Sequence, residues 1–313
     1  MLRFARVAPR RAARVRRFRV HRAEPGFLAA TAAFGPLAEE TKPLTYYSAW
    51  FCPFAHRATI ALEHHGIDYE WVEALGWERR EASGDEDFDA SERDDWWYHW
   101  KHPDLLRANP DGMVPTITSA DGRLVVTESI VCCQFADGVA AARGGGAAPL
   151  VPADPWEAAR ALVWASRVNT TVTSEYYKCL VRTDETERRE AFDRLVEGLG
   201  HFADAKAGTF FSGEGLGIVD CVLLPYAFRL YVLEHYRGFA VPRDRPWSDA
   251  YFAWLDAATG LPSVAKTLPD KAKYLKHVAK YAHGAARSKV GNAVRRGANA
   301  HDYDHKIDGD AAA

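Results

Sequence analysis

One cysteine lies where a predicted strand meets a predicted helix. Cys52 occurs in Phe51-Cys-Pro-Phe-Ala-His56; a strand is predicted over residues 44–48, and Pro53 suits the first position of a helix. A thiol there faces unpaired backbone N–H groups and the positive end of the helix dipole, and both favour the thiolate. We therefore predict a redox-active Cys52 with a pKa near 6.5, against about 8.5 for a free thiol. A cysteine that merely packs at a helix cap is the alternative.

The neighbours of Cys52 limit its chemistry. Ala55 stands where a second cysteine would be needed to close an intramolecular disulfide, so a reaction through Cys52 requires an external thiol. Arg57 is five positions along the helix and is expected to point away from the sulfur. Burial against Trp50 and Phe51 would raise the pKa of the thiol, but we expect the groups that stabilise the anion to dominate.

Two dipeptides further along suit the binding of an extended ligand. Val114-Pro115 opens a predicted strand, where a cis proline would leave the preceding backbone free to pair with that ligand; an edge-strand proline is the alternative. Glu128-Ser129 opens a predicted helix, whose N–H groups and hydroxyl could hold a carboxylate. An ordinary helix cap would explain the second dipeptide equally well.

The elements around these residues predict two domains within 313 residues. Residues 42–138 show the order βαβαββα, including a hairpin with Asp-Gly in its turn. Residues 139–153 are rich in Ala, Gly and Pro and predict a linker. A capping sequence, Asp154-Pro-Trp-Glu157, then begins an all-α domain that extends to residue 282, with no strand predicted beyond the linker. Residues 283–313 form a tail that either wraps over the body or is disordered.

The N-terminal segment differs from the rest of the chain. Residues 1–22 contain nine Arg and no acidic residue, with apolar residues interspersed. This composition is typical of an import presequence, so we expect residues 1–41 to lie outside the fold and to direct the protein to mitochondria or another organelle. A basic arm on a cytoplasmic protein, touching nucleic acid or lipid, is the alternative.

An insertion with nine acidic residues occupies residues 78–95. It lacks apolar periodicity and predicts a solvated loop. The aromatic run that follows, residues 96–100, is expected to fold onto the body or to border a pocket.

The composition argues against several classes of protein. A net charge of −2 gives the molecule no bias toward nucleic acid. The five cysteines show neither a CxxC pair nor metal-ligand spacing, so we expect no metal site and no disulfide framework. We also expect no transmembrane segment, because no stretch is long and apolar enough.

Taken together, the motifs resemble those of the glutathione S-transferase superfamily, and within it the omega class. The resemblance covers roughly residues 44–282. It rests on four segments: Tyr47-Ser-Ala-Trp-Phe-Cys-Pro-Phe-Ala-His-Arg57, Asn109-Pro-Asp-Gly-Met-Val-Pro-Thr116, Thr127-Glu-Ser-Ile130, and Phe210-Phe-Ser-Gly213 with Gly217-Ile-Val-Asp-Cys-Val-Leu-Leu-Pro225.

The resemblance implies a thioredoxin-like N-terminal domain that binds glutathione as co-substrate, followed by an all-helical domain. Cys52 would be the catalytic residue. The implied glutathione contacts are Phe54, Lys101 or His102, Val114 before a cis Pro115, Glu128 and Ser129. The resemblance also implies that Trp254 lines the pocket for the second substrate.

The function implied is a glutathione-dependent thiol transferase or reductase. Cys52 would react with a small electrophilic, disulfide or oxidised substrate, such as dehydroascorbate, and would end as a mixed disulfide with glutathione. A second glutathione would then release Cys52. A binding module without turnover and a conjugating glutathione transferase are the alternatives. The implied assembly is a homodimer.

Overall fold

The computed structural model describes residues 43–81 and 95–309. The basic N-terminal segment and the centre of the acidic insertion lie outside these residues. The expectation of organelle import therefore stays a prediction.

The first domain is built on a four-stranded sheet with the strand order β2-β1-β5-β6. β1 pairs in parallel with β2 and antiparallel with β5, and β5 pairs antiparallel with β6. The elements are β1 (Leu44–Ser48), α1 (Pro53–His65), β2 (Tyr69–Glu73), β3 (Leu75–Glu81), β4 (Asp95–Lys101), α2 (Pro103–Ala108), β5 (Thr116–Thr118), β6 (Val125–Thr127) and α3 (Ser129–Ala142). The predicted thioredoxin-like order is present, with the β3–β4 hairpin added.

That hairpin corrects the expectation of a loop over residues 78–95. β3 and β4 pair antiparallel, so both ends of the insertion are strands, and residues 82–94 lie outside the described part. β4 also pairs in parallel with a short strand near the C-terminus, β7 (Ala286–Arg287). A strand beyond the linker was not predicted, because this partner lies almost two hundred residues further along the chain.

The second domain is helical. It contains α4 (Pro155–Val168), a π-helical turn (Asn169–Thr173), α5 (Ser174–Val181), α6 (Glu185–Ala205), α7 (Ile218–Ala227), α8 (Tyr231–Arg237), α9 (Ser248–Gly260), α10 (Pro262–Ala265) and α11 (Lys271–Ala282). Asp154 caps α4 as its sequence predicts, since its carboxylate accepts from the N–H groups of Trp156 and Glu157. No helix in the described ranges has the length and apolar character needed to cross a membrane.

Trp254 lies in the core of this helical domain. Its side chain is 0% exposed, and its Nε1 donates to the Asp220 carboxylate at 2.8 Å. The same carboxylate accepts from the backbone N–H groups of Phe211 and Gly217, which fixes the start of α7. A side chain enclosed in this way cannot touch a second substrate, so the expectation that Trp254 lines its pocket is corrected.

The C-terminal segment, residues 283–308, wraps over the body. It contributes β7 and α12 (Lys289–Arg295), and α12 packs against α5. Ser288 caps α12 and its hydroxyl lies 2.7 Å from that of Tyr281 on α11. Near its end, Asp308 accepts from the Arg296 guanidinium and from the backbone N–H of Asp304. These contacts hold the segment against both domains.

Candidate active site

A cleft of about 230 Å³ lies between the two domains. One wall comes from the first domain, and the other comes from α5, α11 and the C-terminal segment. Apart from His102, the cleft brings together every residue for which we predicted a role in catalysis or in glutathione binding. These residues are Cys52, Phe54, Lys101, Val114, Pro115, Glu128 and Ser129.

Cys52 is the residue just before α1, and its side chain is half-buried. Its backbone N–H donates to Ala49 O at 2.9 Å, and its carbonyl accepts the first hydrogen bond of the helix from His56 at 3.0 Å. The Phe51 ring beside it stacks on His277 of α11, with ring centroids 4.0 Å apart. The turn that presents the thiol is therefore held both by its own backbone and by the second domain.

The environment of Cys52 corrects the predicted direction of its pKa. Burial raises the pKa of the thiol above its ordinary value, because desolvation disfavours the thiolate. The backbone N–H groups of Ala55 and Phe54, and then the cations of Arg229 and Arg57, act in the opposite direction but do not outweigh burial. The sequence indicates the donors at the helix terminus, but it does not show how completely the second domain covers them.

Arg57 was expected to point away from the Cys52 sulfur. Instead its side chain lies in the cleft and joins the two domains. Its guanidinium donates to Ser129 Oγ at 3.2 Å, to Thr173 Oγ1 at 2.9 Å and to Val222 O at 3.0 Å. It lies over the Phe54 ring, with Cζ 5.1 Å from the centroid. One side chain thereby connects Cys52's helix, the Glu128-Ser129 turn and the helical domain.

The loop before β5 presents backbone to the cleft. The Val114–Pro115 peptide bond is cis, as the resemblance implied. Asn109 supports the loop by donating from Nδ2 to Met113 O at 3.2 Å and to Thr116 Oγ1 at 3.1 Å. The predicted Val114-Pro115 dipeptide therefore lies on a backbone edge of the cleft that the Asn109 side chain holds in place.

Glu128 precedes α3 in an unusual conformation. Its φ of 66° is the one positive value among the described residues other than glycine. Non-glycine residues rarely take such values, and they persist where the surroundings hold them, often at functional sites. Its carbonyl accepts the first hydrogen bond of α3 from Cys132 at 2.8 Å, so the turn places the Glu128 carboxylate and the Ser129 hydroxyl at the cleft.

Lys101 rather than His102 faces the cleft. Lys101 Nζ lies 3.5 Å from Asp111 O, on the loop that leads to Val114. His102 instead caps α2, since its Nδ1 accepts from Asp104 N at 3.2 Å. Of these two neighbours, Lys101 therefore lines the cleft and His102 does not.

The opposite wall is largely aromatic. Tyr177 lies parallel to Phe54 with ring centroids 6.3 Å apart. His277 Nε2 accepts from Trp77 Nε1 at 2.7 Å, and burial lowers the pKa of His277 to about 3, so this imidazole is neutral. The wall can cover an apolar or aromatic group beside the sulfur. Its cleft-lining members on α5 and α11 are Tyr176, Tyr177, Leu180, Tyr274, His277, Val278 and Tyr281.

Several cleft residues carried no usable signal in the sequence. Asn169 lies in the π-helical turn, and its Oδ1 is buried with no hydrogen-bond partner among the described residues. Lys289, His301 and Tyr303 reach the cleft from the C-terminal segment. Across the part of the chain that the structure describes, no group of three His, Cys, Asp or Glu side chains could hold a metal ion.

Comparison with known proteins identifies the relatives of this chain. A family model of the glutathione S-transferase N-terminal domain matches residues 51–138. Glutathione S-transferase omega-1 of Rattus norvegicus is 27% identical over 207 residues, which cover 64% of this chain and 71% of that protein. The probable glutathione S-transferase GSTU6 of Oryza sativa subsp. japonica is 33% identical over 190 residues, which cover 58% of this chain and 70% of that protein.

Solved structures show the same two-domain arrangement. Glutathione transferase Omega 3C from Trametes versicolor superimposes with a TM-score of 0.61 and 25% identity, covering 79% of this chain and 94% of that one. Rice GST1, solved in complex with glutathione, gives a TM-score of 0.61 and 25% identity, covering 77% of this chain and 99% of that one. The thioredoxin-like sheet, the helical domain and these relatives lead to one conclusion. The chain belongs to the glutathione S-transferase superfamily and has omega-like relatives.

Proposed function

We propose that the protein is a glutathione-dependent thiol transferase of omega type that works through a Cys52–glutathione mixed disulfide. The observation that carries this proposal is the position of Cys52. All five cysteines lie in the described residues; Cys52 alone is not fully buried, and it lines the cleft. Binding of glutathione does not need a thiol, whereas disulfide exchange does.

The reaction balances as two thiol–disulfide exchanges. The Cys52 thiol loses its proton to solvent, and its sulfur attacks the glutathionyl sulfur of a mixed disulfide between glutathione and a substrate. The substrate sulfur leaves as a thiolate and takes up a proton. The thiolate of a second glutathione then attacks the glutathionyl sulfur on Cys52, so that glutathione disulfide leaves and Cys52 is restored.

The wall of the first domain suits the glutathionyl part. An extended peptide lying along Val114 can pair with its backbone, as a strand pairs with a sheet edge. The Glu128 carboxylate and the Ser129 hydroxyl would hold the γ-glutamyl end, and Lys101 would meet the glycyl carboxylate. The aromatic wall would then cover the part of the substrate that is not glutathione.

The test is the turnover of Cys52→Ala with a glutathionylated peptide and glutathione. We expect thiol transfer to fall to the uncatalysed rate while circular dichroism and glutathione binding stay unchanged. Cys179→Ala, which removes a buried thiol away from the cleft, is the matched control and should keep its turnover. Full activity in Cys52→Ala would overturn the proposal.

The pH dependence of the wild-type rate follows from the same thiol. Only the thiolate attacks, and burial raises the pKa of Cys52, so its thiolate fraction must climb throughout the range from pH 7 to 9. We therefore expect the transfer rate to rise by roughly tenfold per pH unit there, without a plateau. A plateau that begins near pH 7 would show an acidic thiol instead.

Conjugation of glutathione to electrophiles is the second candidate. The observation that favours it is the raised pKa of Cys52, because a protonated thiol can donate to a glutathione thiolate instead of attacking a disulfide. A rate of conjugation to an aryl halide far above the rate of thiol transfer would establish this function in place of the first.

A further inference from the structure

We propose that the buried guanidinium of Arg229 is the counter-charge of the Cys52 thiolate, which makes Arg229 a positioning residue that the second domain supplies to the reaction. The inference rests on the proposed function, because it takes the Cys52 sulfur as the attacking atom. Arg229 contacts the aromatic wall and does not itself line the cleft, so it would act on the sulfur through its charge.

The first observation is the burial of Arg229 without an anion. Its side chain is 0% exposed, although a guanidinium keeps its charge in proteins. Among the described residues no carboxylate pairs with it, and its Nε and Nη2 atoms have no hydrogen-bond partner. Buried charges are normally paired, because an isolated charge is very unfavourable in an apolar interior. An uncompensated cation of this kind favours the ionisation of any acid beside it.

The second observation is the position of this guanidinium at the helix that carries Cys52. Its Nη1 lies 3.0 Å from His56 Nδ1 and donates to Pro225 O at 2.7 Å. His56 is one turn of α1 after Cys52, and its backbone N–H donates to the Cys52 carbonyl at 3.0 Å. The Cζ of Arg229 lies 4.7 Å from the centroid of the Tyr274 ring, which lines the cleft. Arg229 therefore contacts both α1 and the aromatic wall.

His56 accepts from Arg229 and adds no charge of its own. Thr267 Oγ1 donates to Val264 O at 2.7 Å, so it accepts from His56 Nε2, which lies 2.8 Å away. Nδ1 is then the unprotonated nitrogen of the ring and accepts from Arg229. Burial, and then the charge of Arg229, hold the pKa of His56 well below its ordinary value, so the imidazole is neutral.

Cys52 is the described neighbour of Arg229 that becomes an anion in the reaction, since it must lose its proton to attack. The other acidic groups on which this cation acts are phenols, and burial raises the pKa of each, so they keep their protons near neutral pH. These phenols are Tyr176, Tyr226, Tyr231 and Tyr274. Burial dominates the pKa of Cys52, but Arg229 lowers it more than Arg57 does.

The groups that act on Cys52 lead to the same pair. Besides the two arginines they are buried phenols with raised pKa values, namely Tyr46, Tyr177, Tyr226 and Tyr274. The Arg57 guanidinium already donates from Nε and from both terminal nitrogens, whereas two nitrogens of Arg229 have no acceptor among the described residues. Arg229 is thus the cation whose charge is least compensated by other contacts.

The test is the alkylation of Cys52 by iodoacetamide from about pH 7 to 10.5, followed by peptide mass spectrometry. Arg229→Gln removes the charge and keeps a donor for His56. We expect its inflection to lie about one pH unit or more above that of wild type. At pH 8 its alkylation should be about three- to tenfold slower, since a less acidic thiol gives a more nucleophilic thiolate. Arg229→Lys keeps a charge and should lie nearer to wild type.

Arg237→Gln is the matched control. Arg237 lies on α8, and its guanidinium donates to the carbonyls of Cys179 and Ala282 rather than acting on Cys52. Its loss should leave the inflection of Cys52 unchanged, even if the helical domain becomes less stable.

A second measurement keeps Arg229 and so does not depend on the folding of its variants. Cys52→Asp introduces a carboxylate at this position, and Cys52→Asn introduces a neutral side chain of the same shape. Denaturant unfolding at pH 7 should show Cys52→Asp to be the more stable of the two. A carboxylate paired with Arg229 has a lowered pKa, so this advantage should disappear as acid protonates it.

The outcomes separate this inference from the function on which it rests. The expected shift in a protein without thiol transfer would support the counter-charge and overturn the function. Equal inflections in wild type and Arg229→Gln, or a Cys52→Asp protein less stable than Cys52→Asn, would overturn the inference and leave the function standing. A shift of the same size in Arg237→Gln would indicate a general structural effect, which also contradicts the inference.

Discussion

The two walls of the cleft differ in what they offer a ligand. The first domain offers a thiol, a backbone edge at Val114 and charged or polar groups at Lys101, Glu128 and Ser129. The helical wall offers mainly tyrosine rings and a neutral imidazole. Directed hydrogen bonds suit one constant partner, whereas aromatic surface accommodates many apolar groups. Under the proposed function, the first wall would recognise glutathione and the second wall would select the other substrate.

The largest expected effect comes from breaking the link between the walls. Arg57→Met keeps most of the side-chain volume but removes three hydrogen bonds, to Ser129, Thr173 and Val222. Two of the three acceptors that lose their donor are hydroxyls, which can still bond through their own O–H groups. We therefore expect the free energy of unfolding to fall by about 2–3 kcal/mol rather than more. Denaturant unfolding at neutral pH measures this change.

Arg107→Met is the matched control for that experiment. Its side chain is exposed and pairs only with Asp104 on the same helix among the contacts described, so the loss should be under about 0.5 kcal/mol. Equal unfolding midpoints for Arg57→Met and wild type would show that Arg57 does not join the domains energetically.

A smaller effect is expected on the aromatic wall. Tyr177→Leu removes the ring that lies parallel to Phe54 in the cleft. An aromatic pair contributes about 1 kcal/mol beyond burial, so KM for an aromatic disulfide should rise about fivefold while glutathione affinity stays the same. Tyr177→Phe keeps the ring and should restore KM. A comparable loss of glutathione affinity in Tyr177→Leu would contradict the separate roles of the walls.

The sequence predicts those site residues whose positions follow from local patterns, and it fails where a distant partner decides the position. Cys52, Val114-Pro115 and Glu128-Ser129 stand at element boundaries that local patterns reveal, and the structure brings all of them to the cleft. Trp254 was wrongly placed there, because the family pattern does not show that its indole would bond to Asp220 in the core. Local patterns carry no information on such distant partners.

Two further differences have the same physical origin. The β3–β4 hairpin was predicted as a loop because its stabilising neighbour, β7, comes from the far end of the chain. The pKa of Cys52 was predicted to fall because the donors at the helix terminus are local, whereas the burial that raises it comes partly from the second domain. Burial is a sum over the whole fold, so only the structure gives its magnitude relative to the local donors.

The central claim is that Cys52 forms a mixed disulfide with glutathione that glutathione itself removes. Intact mass spectrometry of reduced protein treated with glutathione disulfide tests it directly. We expect one added glutathionyl group, located on Cys52 by peptide mapping, absent from Cys52→Ala and released by excess glutathione; the four buried cysteines should stay unmodified. The absence of an adduct on Cys52, or an adduct that excess glutathione fails to release, would contradict the account.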